Sequence, residues 1–364
     1  MKISGVPYRT IWLNQDGWSV TVIDQTVLPF KLETKTLTAM ADAAAAIKQM
    51  IVRGAPLIGV TAAYGVCLQM RVDASDKALE NAYHTLMETR PTAVNLRWAL
   101  DEMMAALRIV PQGDRTQIAY ARAAKMADDD VETNRRIGVA GLALIEEAAK
   151  KRNGQTVRVL THCNAGWLGC VDWGTALAPL YLAHDKGIPL HVWVDETRPR
   201  NQGAALTAFE LSGHGIPHAV LVDNAGGHYM QHGEVDLCIV GADRVTAAGD
   251  ACNKIGTYLK ALAARDNGVP FYVAVPSSTI DWTMSDGVKE IPIEERSPRE
   301  VTDLTGMTAD GRLETIRVAN PGSLARNPGF DVTPARLVTK LITERGVADA
   351  SREALLKLFP ERRA

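Results

Sequence analysis

A thiol, a carboxylic acid and a scattered set of cationic and amide side chains are the groups here whose types and positions could do chemistry. The thiol is Cys163, in Thr161-His162-Cys163-Asn164-Ala165-Gly166, directly after the apolar run Val157 to Leu160. The acid is Asp243, in Gly241-Ala242-Asp243-Arg244, directly after the apolar run Leu237 to Val240. A thiol beside the backbone amides of a turn or helix start is drawn toward thiolate, so the expectation for Cys163 is a lowered pKa. A carboxyl group in a poorly hydrated site is pushed the other way and can hold and donate a proton near neutrality. The bland readings are a buried structural cysteine for Cys163, and an ion pair with Arg244 or a helix cap for Asp243. The polar setting of Cys163 favours chemistry there. Cys67, Cys238 and Cys252 lie in apolar surroundings and read as core, and His162 reads as an orienting side chain.

The cationic and amide groups come in four places. Arg53-Gly54-Ala55-Pro56 stands between two helical patterns, with a glycine that lets backbone approach a ligand. Arg97 lies in Asn95-Leu96-Arg97-Trp98, and Gln202 in Arg198-Pro199-Arg200-Asn201-Gln202-Gly203. Asn253 and Lys254 fall in Gly249 to Thr257, read as a loop able to cradle an anion with backbone N–H groups. Guanidinium forks match phosphate oxygens, although any single arginine is more often a surface charge.

Five near-continuous apolar runs begin at Val157, His191, Ala219, Leu237 and Phe271 and are separated by helix-sized segments. Such runs read as parallel strands covered on both faces. Ligands of such sheets bind at the carboxyl ends of the strands. Cys163, Asp195, Glu196, Asp223 and Asp243 fall there by position alone. Upstream, Asn14-Gln15-Asp16-Gly17 between Tyr8–Leu13 and Trp18–Ile23 predicts a β-hairpin. Helical patterns follow over Ala39–Met50 (capped by Thr38), Leu57–Met70, Asp76–Glu88, Leu96–Leu107 and Arg115–Met126 (capped by Asp114), then Val131–Lys150. The expected division is a mainly helical unit with a β-ribbon over 1–128 and a parallel-sheet unit over 129–364. The run Asp128-Asp129-Asp130 is either its boundary or a kink in one long helix. The tail from Pro334 to Gly346 reads as a docked helix, with Asn327 to Asp331 as its lead-in loop.

The 364 residues carry 46% hydrophobic and 23% charged residues with a formal net charge of -2, which gives no electrostatic case for nucleic acid or a membrane surface. The first residues lack a signal-peptide core, and apolar helix patterns fall short of a spanning length. Five cysteines, odd in number and mostly in apolar runs, fit reduced thiols and a cytoplasmic location. No Cys/His set has zinc spacing, so no metal is expected. The strand before Cys163 is not followed by G-x-G-x-x-G, and neither a phosphate loop nor a G-x-S-x-G elbow occurs. Those absences argue against a dehydrogenase, a nucleotide hydrolase and a serine hydrolase.

Taken together, Arg53–Pro56, Asn95–Trp98, Thr161–Gly166, Asp195–Gly203, Gly241–Val245 and Asn253–Tyr258 resemble the methylthioribose-1-phosphate isomerase family. Its superfamily includes regulatory subunits of the translation factor eIF2B and ribose-1,5-bisphosphate isomerases. The likeness runs from Arg9 to the 327–346 tail. It implies an α/β fold with a small helical N-terminal domain and a Rossmann-like C-terminal domain, a homodimer, no cofactor, and a role in methionine salvage. It places the catalytic pair on Cys163 and Asp243, and substrate binding on Arg53, Gly54, Ala55, Arg97, Gln202, Asn253 and Lys254. The implied reaction converts 5-methylthioribose 1-phosphate to 5-methylthioribulose 1-phosphate. Asp243 would be the general acid for ring opening, and Cys163 would act at C1/C2 through an enediol or a hydride shift. An isomerase of 5-deoxyribose 1-phosphate or ribose 1,5-bisphosphate is the nearer alternative, and a non-catalytic regulatory subunit the more distant one. Trp18, Val20, Trp98, Trp167 and Tyr258 are candidate apolar liners for a methylthio group, though such residues are more often plain core.

Overall fold

The computed structural model describes residues 1–3, 5–91 and 93–363. A short ribbon of β1 (Lys2–Ile3) and β2 (Val6–Pro7) opens the chain. The expected hairpin follows as β3 (Ile11–Leu13) and β4 (Val20–Ile23), with Ile11 opposite Val22 and a turn whose Asp16 carboxylate accepts from Trp18 N and Ser19 N. A third antiparallel strand, β5 (Thr34–Leu37), joins it.

The helical unit holds α1 (Met40–Lys48), α2 (Ala55–Val72), α3 (Asp76–Met87), α4 (Val94–Arg108) and α5 (Gln112–Lys151). The α1 cap differs from the expectation. Asp42 reaches back to accept from Thr38 N, Thr38 Oγ1 and Ala39 N, so its carboxylate rather than the Thr38 hydroxyl closes the helix start. Pro56 opens α2 as expected, since a first-turn proline lacks only an N–H that the helix would leave unpaired. This helix is 18 residues long and apolar enough to cross a membrane by composition, contrary to the expectation that no pattern reached that length. Its place is the core, packed against α1, α3, α4 and α5, with Leu57, Ala62, Ala63 and Cys67 inaccessible.

The two patterns on either side of Asp128–Asp130 are one 40-residue helix, α5, entered from Pro111 with Asp114 in its first turn. The 128/129 division falls inside it, so no linker separates the two halves. Asp130 faces inward and accepts from Val171 N at 2.7 Å, and burial pushes its carboxyl up to about 7. Because the folded-state pKa lies above the ordinary 3.8, the folded chain binds this proton more tightly than the unfolded chain. The stability it contributes is full below the unfolded value and is lost as pH rises toward the folded one. Asp130→Asn, neutral at every pH and still able to accept from Val171, is therefore expected to gain stability over the parent across that window. The gain should be on the order of 1–3 kcal/mol. Urea midpoints at pH 5 and pH 8 measure it, and an equal difference at both pH values would refute it.

The C-terminal half is built on a seven-stranded sheet. Its strands are β6 (Val157–Thr161), β7 (Leu190–Asp195), β8 (His218–Leu221), β9 (Leu237–Val240), β12 (Phe271–Ala274), β17 (Lys340–Thr343) and β18 (Gly346–Ala348). They run in the order β18-β17-β12-β9-β6-β7-β8, parallel except for the β17–β18 hairpin at one edge. The five apolar runs are thus strands, and the sheet faces are covered by α5, α6 (Ala178–Asp185), α7 (Ala208–His214), α8 (Ala225–Gln231) and α9 (Thr257–Asp266). Gly138 and Gly141 let α6 approach α5: a Cβ on Gly141 would stand 2.5 Å from Pro179 Cγ.

A second, four-stranded sheet caps the carboxyl end: β13 (Ile280–Asp281), β10 (Arg244–Thr246), β11 (Ala251–Lys254) and β16 (Phe330–Thr333). Two expectations are corrected here. The Gly249–Thr257 segment is not one continuous anion-cradling loop, since its centre, Ala251–Lys254, is β11, which pairs with β10 on one side and β16 on the other. The 334–346 tail is not a helix: a 3₁₀ turn at Ala335–Leu337 leads into β17, because Leu341 and Ile342 complete the buried sheet beside β12. The hairpin β14 (Asp303–Met307) and β15 (Leu313–Arg317) lines one side of a groove that Arg53 and Gln202 also line.

Candidate active site

Cys163 is the second residue beyond β6, and its φ of 66° puts it in the left-handed region. That conformation is uncommon for a side-chain-bearing residue and needs support from its surroundings. It is 7% exposed and opens on a cavity shared with Arg53, Gly54, Ala55, Asn164, Asp243 and Asn253. Burial pushes its thiol above the ordinary value, with Arg53 and Lys254 pulling the other way. The expected lowering is therefore corrected, because desolvation of a thiolate outweighs the nearby positive charge.

Asp243 is partly buried where β9 passes into β10, and its backbone N–H donates to Cys252 O at 2.8 Å. The next element is a strand, so the helix-cap reading fails, and Arg244 reaches Asp281 at 3.3 Å. Burial raises the Asp243 carboxyl as expected, against lowering by Lys254, Arg90 and Arg53. Asp243 also lines an adjoining cavity with Arg90, Ile58, Ile291, Pro292 and Phe330. Thiol and carboxyl thus face one space, with cations around both.

Lys254, at the end of β11, is 7% exposed; its ammonium donates to Gly329 O at 2.7 Å and lies 4.6 Å from the Phe330 ring centre. Burial lowers its pKa, while Cys163 and Asp243 hold it up. Asn253 beside it donates to Thr257 Oγ1 at 3.0 Å. Asp331 accepts from Gly256 N and Tyr258 N and fixes the turn after Lys254.

Arg53 clasps Asn164 through its side-chain oxygen and, at 2.8 Å, its carbonyl. The N-terminus of α2 begins immediately after it, so Gly54 and Ala55 bring the positive end of an 18-residue helix to the same cavity. Gln202 stands across a wider groove that also reaches Arg53. It is 5% exposed, and its Oε1 is buried without a hydrogen-bond partner among the described residues. Arg97 does not belong here. It is exposed on α4 with its charge near Tyr83, because the buried stripe of that helix is Leu96, Ala99, Leu100, Met103 and Leu107. The cation the fold delivers instead is Arg90, just before α4, paired with Glu294 at 3.2 Å and facing Asp243. Three of the five candidate apolar liners are placed elsewhere: Trp167 is core at 1% exposure, Val20 is core, and Trp18 lies under Arg71.

His162 is engaged through both nitrogens of its ring, a placement that suits an orienting side chain. Its ring nitrogens sit 2.9 Å from Asp195 Oδ2 and 2.9 Å from Ile255 O. Ligand-type atoms of His162, Asp195 and Asp223 lie within 4.8 Å of one another. The Lys260 ammonium stands 3.3 Å from Asp195 Oδ2 and donates to Asp223 O, so a side-chain cation already serves that spot. Glu210, unremarked in the sequence, holds the loop after Cys163: its buried carboxyl accepts from Asn164, Trp167 N, Leu168 N and Tyr181 Oη.

This architecture is shared with known proteins. Residues 51–350 match the Initiation factor 2 subunit family. A methylthioribose-1-phosphate isomerase of Methylorubrum extorquens is 66% identical over 363 residues, covering 100% of this chain and 99% of that protein. The crystal structure of 5-methylthioribose 1-phosphate isomerase from Pyrococcus horikoshii OT3 superposes with a TM-score of 0.83 at 40% identity, covering 98% of this chain and 96% of that one. Subunit delta of the translation initiation factor eIF-2B from A. fulgidus superposes with a TM-score of 0.80 at 37% identity, over 97% and 100% of the two chains. The chain belongs to the initiation factor 2 subunit family and, within it, to the methylthioribose-1-phosphate isomerases, which are enzymes.

Proposed function

We propose that this chain isomerises 5-methylthioribose 1-phosphate to 5-methylthioribulose 1-phosphate, a step of methionine salvage, with Asp243 and Cys163 as catalytic residues. The observation that carries the reading is one cavity lined by a raised carboxyl, a buried thiol and the open end of α2 beside Arg53. Arg53, Gly54, Ala55, Asn253, Lys254 and Gln202 seat the phosphate and sugar hydroxyls, and Arg90 replaces Arg97 in that set. Asp243 gives its proton to the ring oxygen as the C1–O bond breaks. The C2 hydrogen then moves with its electron pair to C1, and the C2 hydroxyl becomes the ketone by giving its proton to the Asp243 carboxylate, which restores the acid, so atoms and electrons balance with no outside oxidant.

The raised thiol favours direct hydride transfer over a thiolate base. Bound phosphate would also offset Arg53 and Lys254, the two groups that lower the Cys163 pKa. The neutral thiol then serves as an uncharged wall beside C1 and C2. Ile58, Ile291, Pro292 and Phe330 supply the apolar surface that suits a methylthio group better than a second phosphate. The eIF-2B-like reading, in which the fold only assembles with partners, leaves the paired acid and thiol without a purpose. A homodimer remains the proposed assembly.

Turnover in D2O tests substrate and route together. The methylthio sugar is expected to outcompete ribose 1,5-bisphosphate and 5-deoxyribose 1-phosphate, with no solvent deuterium at C1 of the product. Stoichiometric deuterium there would overturn the hydride route, and a preference for the bisphosphate would overturn the substrate.

A further inference from the structure

We infer that Thr197 and Thr207 are positioning residues, a two-sided hydroxyl clamp that holds Cys163 in its left-handed conformation and ties the thiol to Arg53. The inference rests on Cys163 being catalytic, as proposed above. Both threonines are fully buried. Thr197 Oγ1 accepts from Cys163 N at 2.8 Å and donates its one hydrogen to Asp195 O at 2.9 Å. Thr207 Oγ1 donates to Cys163 O at 2.7 Å and lies 3.2 Å from Asn164 Nδ2, which donates to it. Asn164 in turn is the residue Arg53 clasps. One line of bonds therefore runs from Thr197 through the Cys163 backbone, Thr207 and Asn164 to the guanidinium.

Two features set this apart from ordinary loop bonding. A threonine within a helix commonly bonds the carbonyl one turn back, whereas Thr207 ends a π-helical turn (Gly203–Thr207) and spends its hydrogen on the thiol-bearing residue. Such π turns are frequent at functional sites. Thr197 itself has a φ of 67°, an outlier for a β-branched residue. It is held there by both oxygens of Asp223, which accept from Thr197 N and Arg198 N at 2.7 Å each. Unfavourable conformations persist where the surroundings over-determine them, and here two adjoin the thiol.

The test compares Thr197→Val, Thr207→Val, the serine variants at both positions, Asp223→Asn and Cys163→Ser by steady-state kinetics with melting curves. Valine keeps the shape and removes the hydroxyl. Each valine variant is expected to lose about 10²-fold in kcat, the scale of a misplaced reacting group. KM should stay within about threefold and serine should restore kcat. If a valine variant fails to fold, Asp223→Asn, which loosens Thr197 from outside, should still lower kcat about 10-fold. Full kcat in folded valine variants, or full kcat in Asp223→Asn where they do not fold, overturns the clamp, as does a loss expressed only in KM or one serine does not restore. Loss with Cys163→Ser alone overturns the clamp but spares the thiol assignment. Full activity in Cys163→Ser overturns that assignment and the clamp with it.

Discussion

Asp243→Asn is expected to lower kcat by about 10²–10⁴-fold, the range a positioned general acid contributes, with KM within about threefold of the parent. The amide keeps the size of the side chain but has no acidic proton for the ring oxygen. The substitution should not unfold the protein. Burial raises the Asp243 carboxyl, so at neutral pH and above the folded state bears a desolvation cost that a neutral amide removes. A melting temperature at or slightly above the parent's is the expected companion of the activity loss.

The pH profile carries the same argument. A general acid works in its protonated form, so kcat/KM should fall as pH rises through the Asp243 pKa, above the ordinary carboxyl range. Lys254, Arg90 and Arg53 lower that pKa in the free enzyme. A bound phosphate dianion offsets those cations, so the carboxyl should titrate higher in the complex. The alkaline limb of kcat is therefore expected at higher pH than the limb of kcat/KM. An Asp243→Asn enzyme that keeps the parent's kcat, or the same alkaline limb, would show that the proton comes from elsewhere.

How much of this was legible in the residues depended on whether a local signal was also the deciding one. The five apolar runs became strands because burial on both faces leaves little choice for a short continuous run. Cys163 and Asp243 were placed correctly because strand ends deliver side chains to one edge. The tail misled because Leu337, Val338, Leu341 and Ile342 repeat at helical spacing, yet the vacancy beside β12 was filled by pairing, which no local pattern records. Asp128–Asp130 did not break α5, since three carboxylates cost solvation only where they are buried, and only Asp130 turns inward.

The sequence does carry a signal that separates Arg97 from Arg90. Arg97 lies one residue off the stripe Leu96, Ala99, Leu100, Met103 and Leu107, and a helix buries one face. Arg90, before Pro91, stands outside that helix and can turn toward Asp243. The Cys163 pKa failed for a different reason. Charge and dipole were visible in the sequence, but the depth of burial that outweighs them is a tertiary property. Thr197, Thr207 and Glu210 were invisible for the same reason, since the bonds that tie them to the Cys163 loop and to Tyr181 span 29 to 46 residues of chain.

Gly54→Ala is expected to cost more than about 4 kcal/mol of folding stability, beyond the range of most single substitutions. Gly54 has a φ of 90°, where a side chain is strained in any setting. A Cβ there would also stand 2.3 Å from Gly169 O and 2.4 Å from Gly169 Cα. Both neighbours are backbone, so no side-chain rotation relieves the overlap. Either α2 must retreat from the 164–170 loop or that loop must move, and the Arg53 grip on Asn164 is lost in each case. A variant that does fold should show a raised KM, because the start of α2 has withdrawn from the anion seat. Gly169, by contrast, has room for a methyl group: a Cβ there would make ordinary contacts with Asn164 O at 3.7 Å and the Arg53 guanidinium at 3.8 Å. Gly169→Ala is therefore the matched control, expected within about 1 kcal/mol of the parent. Urea midpoints for the two variants decide the matter, and equal midpoints would mean that this backbone approach does not set the geometry of the site.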